Sequence, residues 1–200
     1  MLPSSGFHLD VGCGPGTFIG NITPEKRIKS LGIDIAPAQI EFANQRYSSE
    51  VKAFAVRDLF ELDPCDQEYD VITFIEVLEH LPGHVALGML KHAKKLLKES
   101  GRILITTPNY CSAWPLVEKI VNTFGAVKYD DQHINRYSML SLREDIIRSG
   151  FSVFDITSFM SFSPFLAAMD WNLSTTFSRA DSYKGRFMPF GMLLLAVIHK

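Results

Sequence analysis

Three glycines that alternate with other residues, directly behind a short apolar run, constrain the fold of this chain more than any other stretch. The run reaches Asp10, and Gly12, Gly14 and Gly16 follow before apolar residues resume. Glycine adopts positive φ readily and carries no Cβ, so the backbone can turn tightly and a ligand can approach it closely. The stretch therefore predicts a buried strand that leads into a ligand-binding loop.

The rest of the chain alternates short apolar runs with amphipathic stretches. Runs typical of strands buried in a parallel sheet start near Phe7, Ile28, Val51, Tyr69, Arg102, Phe151 and Met192. Helical spacing between them predicts helices, one of them over Gly83–Glu99, and Gly101 is expected to stop that helix. This alternation predicts an α/β fold with a mostly parallel sheet and right-handed crossovers.

Length and composition predict a single domain over residues 1–200 and exclude several classes of protein. Charged residues make up 21% of the chain and the net charge is -2, without a long basic run, so no nucleic-acid partner is expected. The three cysteines lack C-x-x-C spacing, which favours a reducing compartment over zinc or disulfide chemistry. Neither a signal peptide nor a spanning segment is visible, and a cytoplasmic protein is predicted.

Residues 160–191 join the last two predicted strands and are rich in aromatic residues and methionine. The stretch is too long for a hairpin loop, so we interpret it as a lid-like insertion over the active-site end of the sheet. Its aromatic residues either form the core of an extra helical lid or contact a flat, apolar ligand, with peripheral membrane contact as a further hypothesis. Both interpretations predict a small apolar or aromatic substrate.

Acidic residues follow three of the predicted strands, at the edge where ligands bind in an open α/β sheet. Asp34, roughly 20 residues after the glycines, is placed to accept hydrogen bonds from both ribose hydroxyls of an adenosine. Asp58, one strand further out, comes within reach of the adenine edge. Asp10 would repel a pyrophosphate, and Thr17 stands where a dinucleotide-binding loop has its third glycine. The predicted ligand carries adenosine and a cationic amino-acid tail.

These motifs resemble those of class I S-adenosylmethionine-dependent methyltransferases, in the small-molecule branch that includes ubiquinone-biosynthesis-type enzymes. The matching segments occur in the family's order: Leu9–Gly16, Gly32–Ile35, Asp58, Glu76–Leu81, Gly101–Asn109, His133–Tyr137 and Gly150–Phe151. One glycine motif would be weak support, whereas the ordered set is specific. The resemblance implies a Rossmann-like sheet of seven strands in the order 3-2-1-4-5-7-6, with only strand 7 antiparallel and helices on both faces.

The resemblance also implies S-adenosyl-L-methionine as the cofactor and S-adenosyl-L-homocysteine as its product. The implied cofactor-binding residues are Asp10, Gly12, Cys13, Gly14, Gly16, Asp34, Ile35, Asp58, Leu59, Ile75 and Glu76. Family members usually carry one or two helices before the first strand, whereas here that strand begins almost at once. Either the chain is truncated or the insertion at residues 160–191 supplies part of the lid.

Methyl transfer from a sulfonium needs a general base only when the acceptor arrives protonated. His80 and His133 are the candidates, because histidine titrates near neutral pH and both match family segments near the acceptor. Capping or support of the helix near Leu81 and Pro82 is the alternative for His80, and an ordinary surface loop is the alternative for His133. Glu76 is expected to contact the cofactor and Glu79 to stabilise local structure. No metal site is predicted, and the remaining histidines are interpreted as structural: His8, His84, His92 and His199.

Two classes of function stay open. One is an active methyltransferase for a small-molecule acceptor, directed at oxygen, carbon or nitrogen. The other is a protein of the same fold that binds the cofactor without catalysis and acts as an interaction subunit. The residues do not identify the acceptor or the oligomeric state.

Overall fold

The computed structural model describes residues 2–22, 27–65, 69–124, 133–159 and 191–200. The strands in these ranges are β1 Ser5–Val11, β2 Arg27–Asp34, β3 Lys52–Val56, β4 Tyr69–Ile75, β5 Leu97–Pro108, β6 Val153–Phe159 and β7 Leu193–His199. The helices are α1 Thr17–Gly20, α2 Pro37–Tyr47, α3 Gly83–Leu96, α4 Trp114–Phe124 and α5 Met139–Arg148, with 3₁₀ turns at Leu59–Glu61 and Leu78–His80. The sheet order is β3-β2-β1-β4-β5-β7-β6. β7 runs antiparallel to β5 and β6, and the remaining pairs are parallel, which confirms the predicted fold.

β4 lies inside the sheet, between β1 and β5. Five of its seven residues are buried, and Ile72 and Phe74 are fully so. A strand that is covered on both faces needs apolar side chains in both directions, which explains the nearly continuous apolar run.

Helices cover both faces of the sheet. Ile28 and Ile33 on β2 are an odd number of residues apart, so their side chains point to opposite faces. Ile33 belongs to a hydrophobic cluster that includes Leu90 of α3 and Ile146 of α5, whereas Ile28 packs with Ile40 of α2. The parallel strands therefore end at one edge of a covered sheet, where the loops after β1, β2 and β4 meet.

The prediction of a helix over Gly83–Glu99 was wrong at its C-terminal end. The helix stops at Leu96, because Leu97 is fully buried and already pairs with Tyr69 of β4. Pairing and burial outweigh the weak preference of this segment for a longer helix. Gly101 does not stop a helix but lies within β5, where a Cβ would come within 2.6 Å of the Leu97 Cγ.

The lid-like insertion predicted at residues 160–191 lies outside the described residues except for Gly191. The Gly191 N–H donates to the Ser158 hydroxyl at 3.1 Å, and the Asn109 amide donates to the Gly191 carbonyl at 2.9 Å. These bonds fix the start of β7 against β5 and β6. Among the helices that the structure describes, none has both the length and the apolar character needed to cross a membrane. The single-domain organisation stays a prediction.

Candidate functional site

The loop between β1 and α1 turns through glycines with a left-handed backbone. Gly14 and Gly16 have φ values of 50° and 74°, a region that is unfavourable for residues with a Cβ. A Cβ on Gly16 would lie 2.7 Å from a ring carbon of Phe54, whereas a Cβ on Gly14 would meet nothing within 4 Å. Gly16 therefore allows the loop to pack on the protein, and Gly14 leaves open space beside it.

Asp34 ends β2 and connects it to the glycine loop. Its Oδ2 accepts a hydrogen bond from the Gly14 N–H and its Oδ1 accepts one from the Ala36 N–H, both at 2.9 Å. The Cys13 N–H donates to the Ile33 carbonyl at 3.0 Å. Since each carboxylate oxygen can accept two hydrogen bonds, Asp34 keeps capacity for further donors.

A pocket of about 390 Å³ lies beside these residues at the carboxyl edge of the sheet. Six of the residues that the resemblance implies for the cofactor line it: Gly12, Asp34, Ile35, Asp58, Leu59 and Glu76. Most of the pocket residues that the sequence interpretation missed are apolar, and they include Val85 and Met89. These two lie one turn apart on α3, so the amphipathic pattern of that helix was the available signal.

Five of the implied cofactor residues do not line this pocket: Asp10, Cys13, Gly14, Gly16 and Ile75. The Cys13 side chain belongs to the buried cluster around α1 and α2, and burial raises the pKa of its thiol to about 12. Asp10 is 2% exposed, and its Oδ1 accepts a hydrogen bond from the Thr73 hydroxyl at 2.5 Å. Burial raises the pKa of Asp10 to about 7. Asp10 is therefore a titratable group next to the glycine loop.

Glu76 follows β4 with a φ of 55°, and within the described ranges no other residue besides glycine has positive φ. Such a backbone is unfavourable by about 1–2 kcal/mol and persists in proteins mainly at functional sites. The Glu76 N–H donates to the Thr106 carbonyl of β5 at 3.1 Å. Burial raises the pKa of the Glu76 carboxyl. This turn directs the chain from β4 straight into the pocket wall.

The structure brings the two candidate bases together. The Asn135 N–H donates to the Glu79 carbonyl at 2.9 Å, and the Asn135 amide donates to the Leu81 carbonyl at 2.6 Å. These bonds hold the segment that carries His133 against the turn that carries His80, and the two ring centroids are 5.1 Å apart. His80 is exposed and lines the pocket, whereas His133 is only 7% exposed and does not line it.

Two residues that the sequence interpretation missed hold the ring of His133. The His133 Nδ1 lies 2.8 Å from the Glu118 Oε1, and the Tyr110 hydroxyl donates to the same oxygen at 2.8 Å. Glu118 is 4% exposed, and a buried carboxylate of this kind is stable only with such partners. Burial and Glu118 raise the pKa of Tyr110. The sequence signal that could have identified Glu118 was its acidic side chain within the largely apolar α4.

Glu79 completes this group of side chains. It is 1% exposed and accepts a hydrogen bond from the Thr107 hydroxyl at 3.1 Å. Burial and the charge of Glu76 raise the pKa of Glu79 to about 8. Ligand atoms of Glu79, His80 and His133 lie within 4.8 Å of one another, a spacing at which a small cation can contact all three. The absence of a metal site stays a prediction.

Comparison with known proteins adds to this geometry. A methyltransferase domain family matches residues 2–156 of the chain. Ubiquinone biosynthesis O-methyltransferase from Neisseria meningitidis serogroup A is 32% identical over 107 residues, which are 50% of this chain and 43% of that protein. 27-O-demethylrifamycin SV methyltransferase from Amycolatopsis mediterranei is 32% identical over 101 residues, which are 48% of this chain and 36% of that protein. The matched region spans less than half the length of either relative.

Solved structures share the fold at lower identity. An S-adenosylmethionine-dependent methyltransferase from Archaeoglobus fulgidus aligns with a TM-score of 0.68 and 21% identity, over 97% of this chain and 86% of that chain. Magnesium protoporphyrin IX methyltransferase from Synechocystis PCC 6803, solved with bound S-adenosylhomocysteine, aligns with a TM-score of 0.61 and 17% identity, over 98% of this chain and 75% of that chain. At these identities the likeness concerns the fold.

Proposed function

Because the chain belongs to the S-adenosylmethionine-dependent methyltransferases, we propose that it methylates a small aromatic or apolar acceptor by in-line displacement. When bound, S-adenosylmethionine supplies a methyl group on a sulfonium, whose sulfur takes the C–S electron pair as the acceptor atom bonds to the methyl carbon. The products are the methylated acceptor, S-adenosylhomocysteine and a proton. The protein holds both reactants in line and accepts the proton.

The residues around the pocket fit this cofactor. Asp34 keeps acceptor capacity for ribose hydroxyls beyond its two backbone hydrogen bonds. The apolar wall formed by Leu59 and Met89 suits the flat face of adenine. The open space beside Gly14 allows the methionine portion to approach the backbone. Asp10, next to the loop, offers a carboxylate to the ammonium group.

His80 is the proposed base for an acceptor that arrives as a hydroxyl. It is exposed, so an acceptor can reach it. His133 stands beside it, and the buried Glu118 carboxyl lies 2.8 Å from the His133 Nδ1. The observation that carries the proposal is that Asp34, the proposed ribose acceptor, and His80, the proposed base, line one pocket.

Binding and turnover test this function separately. Calorimetry measures binding of S-adenosylmethionine and S-adenosylhomocysteine, and mass spectrometry follows transfer of a trideuteromethyl group to phenols, catechols and amines. Binding of both ligands with a labelled phenolic or catecholic product would support the proposal. Failure to bind either ligand would contradict it. Binding without product from any acceptor class would favour the alternative, a cofactor-binding interaction subunit.

Two glycine substitutions separate cofactor contact from folding. We expect Gly14→Ala to lower the free energy of unfolding by only about 1 kcal/mol, yet to weaken S-adenosylmethionine binding about tenfold or more because its Cβ enters the cofactor space. Gly16→Ala should lower the free energy of unfolding by about 2–4 kcal/mol, since its Cβ also collides with Phe54. Urea unfolding without ligand and calorimetric titration measure the two effects. A Gly14→Ala protein that binds as tightly as wild type would contradict this placement of the cofactor.

The proposed setting is the cytoplasm, with no nucleic-acid partner. Cys13, Cys65 and Cys111 are all free thiols, as expected in a reducing compartment. Peripheral membrane contact belongs to the same hypothesis, because an apolar acceptor partitions into lipid.

A further inference from the structure

His8 is a fully buried histidine that the proposed reaction does not use. Its Nδ1 lies 3.1 Å from the Ser30 hydroxyl oxygen, and its Nε2 lies 2.9 Å from the Thr73 hydroxyl oxygen. The Thr73 hydroxyl in turn lies 2.5 Å from the Asp10 Oδ1. Side chains of β2, β1 and β4 thus form one continuous chain of hydrogen bonds that ends on the acid beside the glycine loop.

The number of hydrogens on each group determines which atom donates in each of these hydrogen bonds. When Asp10 is ionised it only accepts, so the single hydrogen of the Thr73 hydroxyl points to it. The alternative acceptor for that hydrogen, the Leu9 carbonyl, is further away at 3.4 Å. The His8 Nε2 must therefore donate to Thr73. Burial lowers the pKa of His8 to about 4 and keeps the ring neutral, so Nδ1 accepts from Ser30.

We propose that His8 and Thr73 are positioning residues that hold the Asp10 carboxylate ionised and aimed at the cofactor's ammonium group. The inference rests on the proposed function, because it takes Asp10 as the partner of that group. The ordinary alternative is a polar network that only joins β1, β2 and β4. Ligand affinity distinguishes the proposal from this alternative. If the proposal holds, loss of the network weakens binding of ligands that carry the ammonium group more than binding of ligands that lack it.

The surroundings of Asp10 explain why it needs this support. Its titratable neighbours are His8 on β1, Cys13 in the loop and Asp34 at the end of β2, while β4 contributes the hydroxyl of Thr73. Burial and Asp34 raise the pKa of Asp10, and the Thr73 hydrogen bond lowers it. Because only the ionised carboxylate attracts a cation, affinity should rise as the pH passes through about 7 and level off about one unit above it.

The test compares S-adenosylhomocysteine with 5′-methylthioadenosine, which lacks the amino-acid tail, by calorimetry between pH 5.5 and 9. We expect Thr73→Val to weaken S-adenosylhomocysteine binding about tenfold at pH 7 and to move the pH midpoint up by about one unit, because a hydrogen bond to the charged form is lost. Affinity for 5′-methylthioadenosine should stay unchanged. His8→Leu should act in the same direction, and Thr73→Ser, which keeps the hydroxyl, should restore wild-type binding. Thr157→Val makes the same change on the edge strand β6, away from Asp10, and serves as the control that should bind both ligands as wild type does.

The possible results distinguish a positioning role for His8 and Thr73 from a structural one. Equal loss of both ligands, or no shift of the pH profile, would show a merely structural network. A wild-type protein that binds neither ligand would refute the proposed function itself. Nitrogen NMR of His8 in the unaltered protein gives a second test that does not depend on whether a variant folds. At about pH 8.5, where Asp10 is ionised, a neutral ring protonated on Nε2 is expected, and one protonated on Nδ1 would overturn the proposal.

Discussion

Replacing His80 with alanine should lower turnover of a hydroxyl acceptor by about 10²–10⁴-fold, the usual contribution of a general base, while affinity for S-adenosylmethionine stays close to that of wild type. The ring is exposed at the pocket wall, so its removal leaves the core intact. The acceptor then has to lose its proton to water. Single-turnover rates and calorimetric titration of the cofactor separate the two quantities.

Neighbouring residues give the controls for this prediction. His84→Ala removes a second exposed histidine, at the start of α3 and outside the pocket lining, and should leave turnover unchanged. Glu118→Gln removes the charge behind His133 and should reduce turnover less than His80→Ala does, because Glu118 acts through another residue. Assays with and without a chelator show whether a cation bound by Glu79, His80 and His133 contributes. Equal losses of turnover and of cofactor affinity in His80→Ala would assign His80 a structural role.

Replacing Asp34 with alanine should weaken S-adenosylmethionine binding about a hundredfold or more, since hydrogen bonds to a charged acceptor contribute roughly 1.5–3 kcal/mol each. Two effects add in this variant. The proposed ribose acceptor disappears, and the Gly14 and Ala36 N–H groups lose their partner, so the glycine loop is no longer held to β2. Asp155→Ala removes the same charge from an exposed position on β6 and should bind the cofactor normally.

A thermodynamic cycle separates these two effects. The 2′-deoxy analogue of 5′-methylthioadenosine lacks one of the ribose hydroxyls that Asp34 is proposed to bind. If Asp34 contacts that hydroxyl, removing it weakens binding to wild type but not to Asp34→Ala. The affinity of Asp34→Asn for the cofactor should lie between those of wild type and Asp34→Ala, because its amide oxygen can still accept one backbone hydrogen bond. The same loss for the deoxy analogue in wild type and in Asp34→Ala would place the ribose elsewhere.

Most of the strands were predictable from local pattern, whereas their order in the sheet was implied by the family resemblance. A strand buried on both faces needs a continuous apolar run, so β4 was recognisable from the run that starts at Tyr69. The boundary between α3 and β5 was not predictable in this way. Leu97 fits a helical apolar face as well as a strand, and its pairing with Tyr69 decides for the strand.

The residues of the candidate site also separate into those that the sequence predicts and those that only the structure identifies. The sequence by itself determined the proposed cofactor side, because Gly14 and Gly16 follow from the backbone requirements of a tight loop and Asp34 follows from its position at the end of the adjacent strand. Only the tertiary structure decided which residues meet at the proposed acceptor side. His80 and His133 meet because Asn135 binds the turn after β4, and Glu118 reaches His133 from α4. Such contacts join segments far apart in the chain, and no local periodicity encodes them.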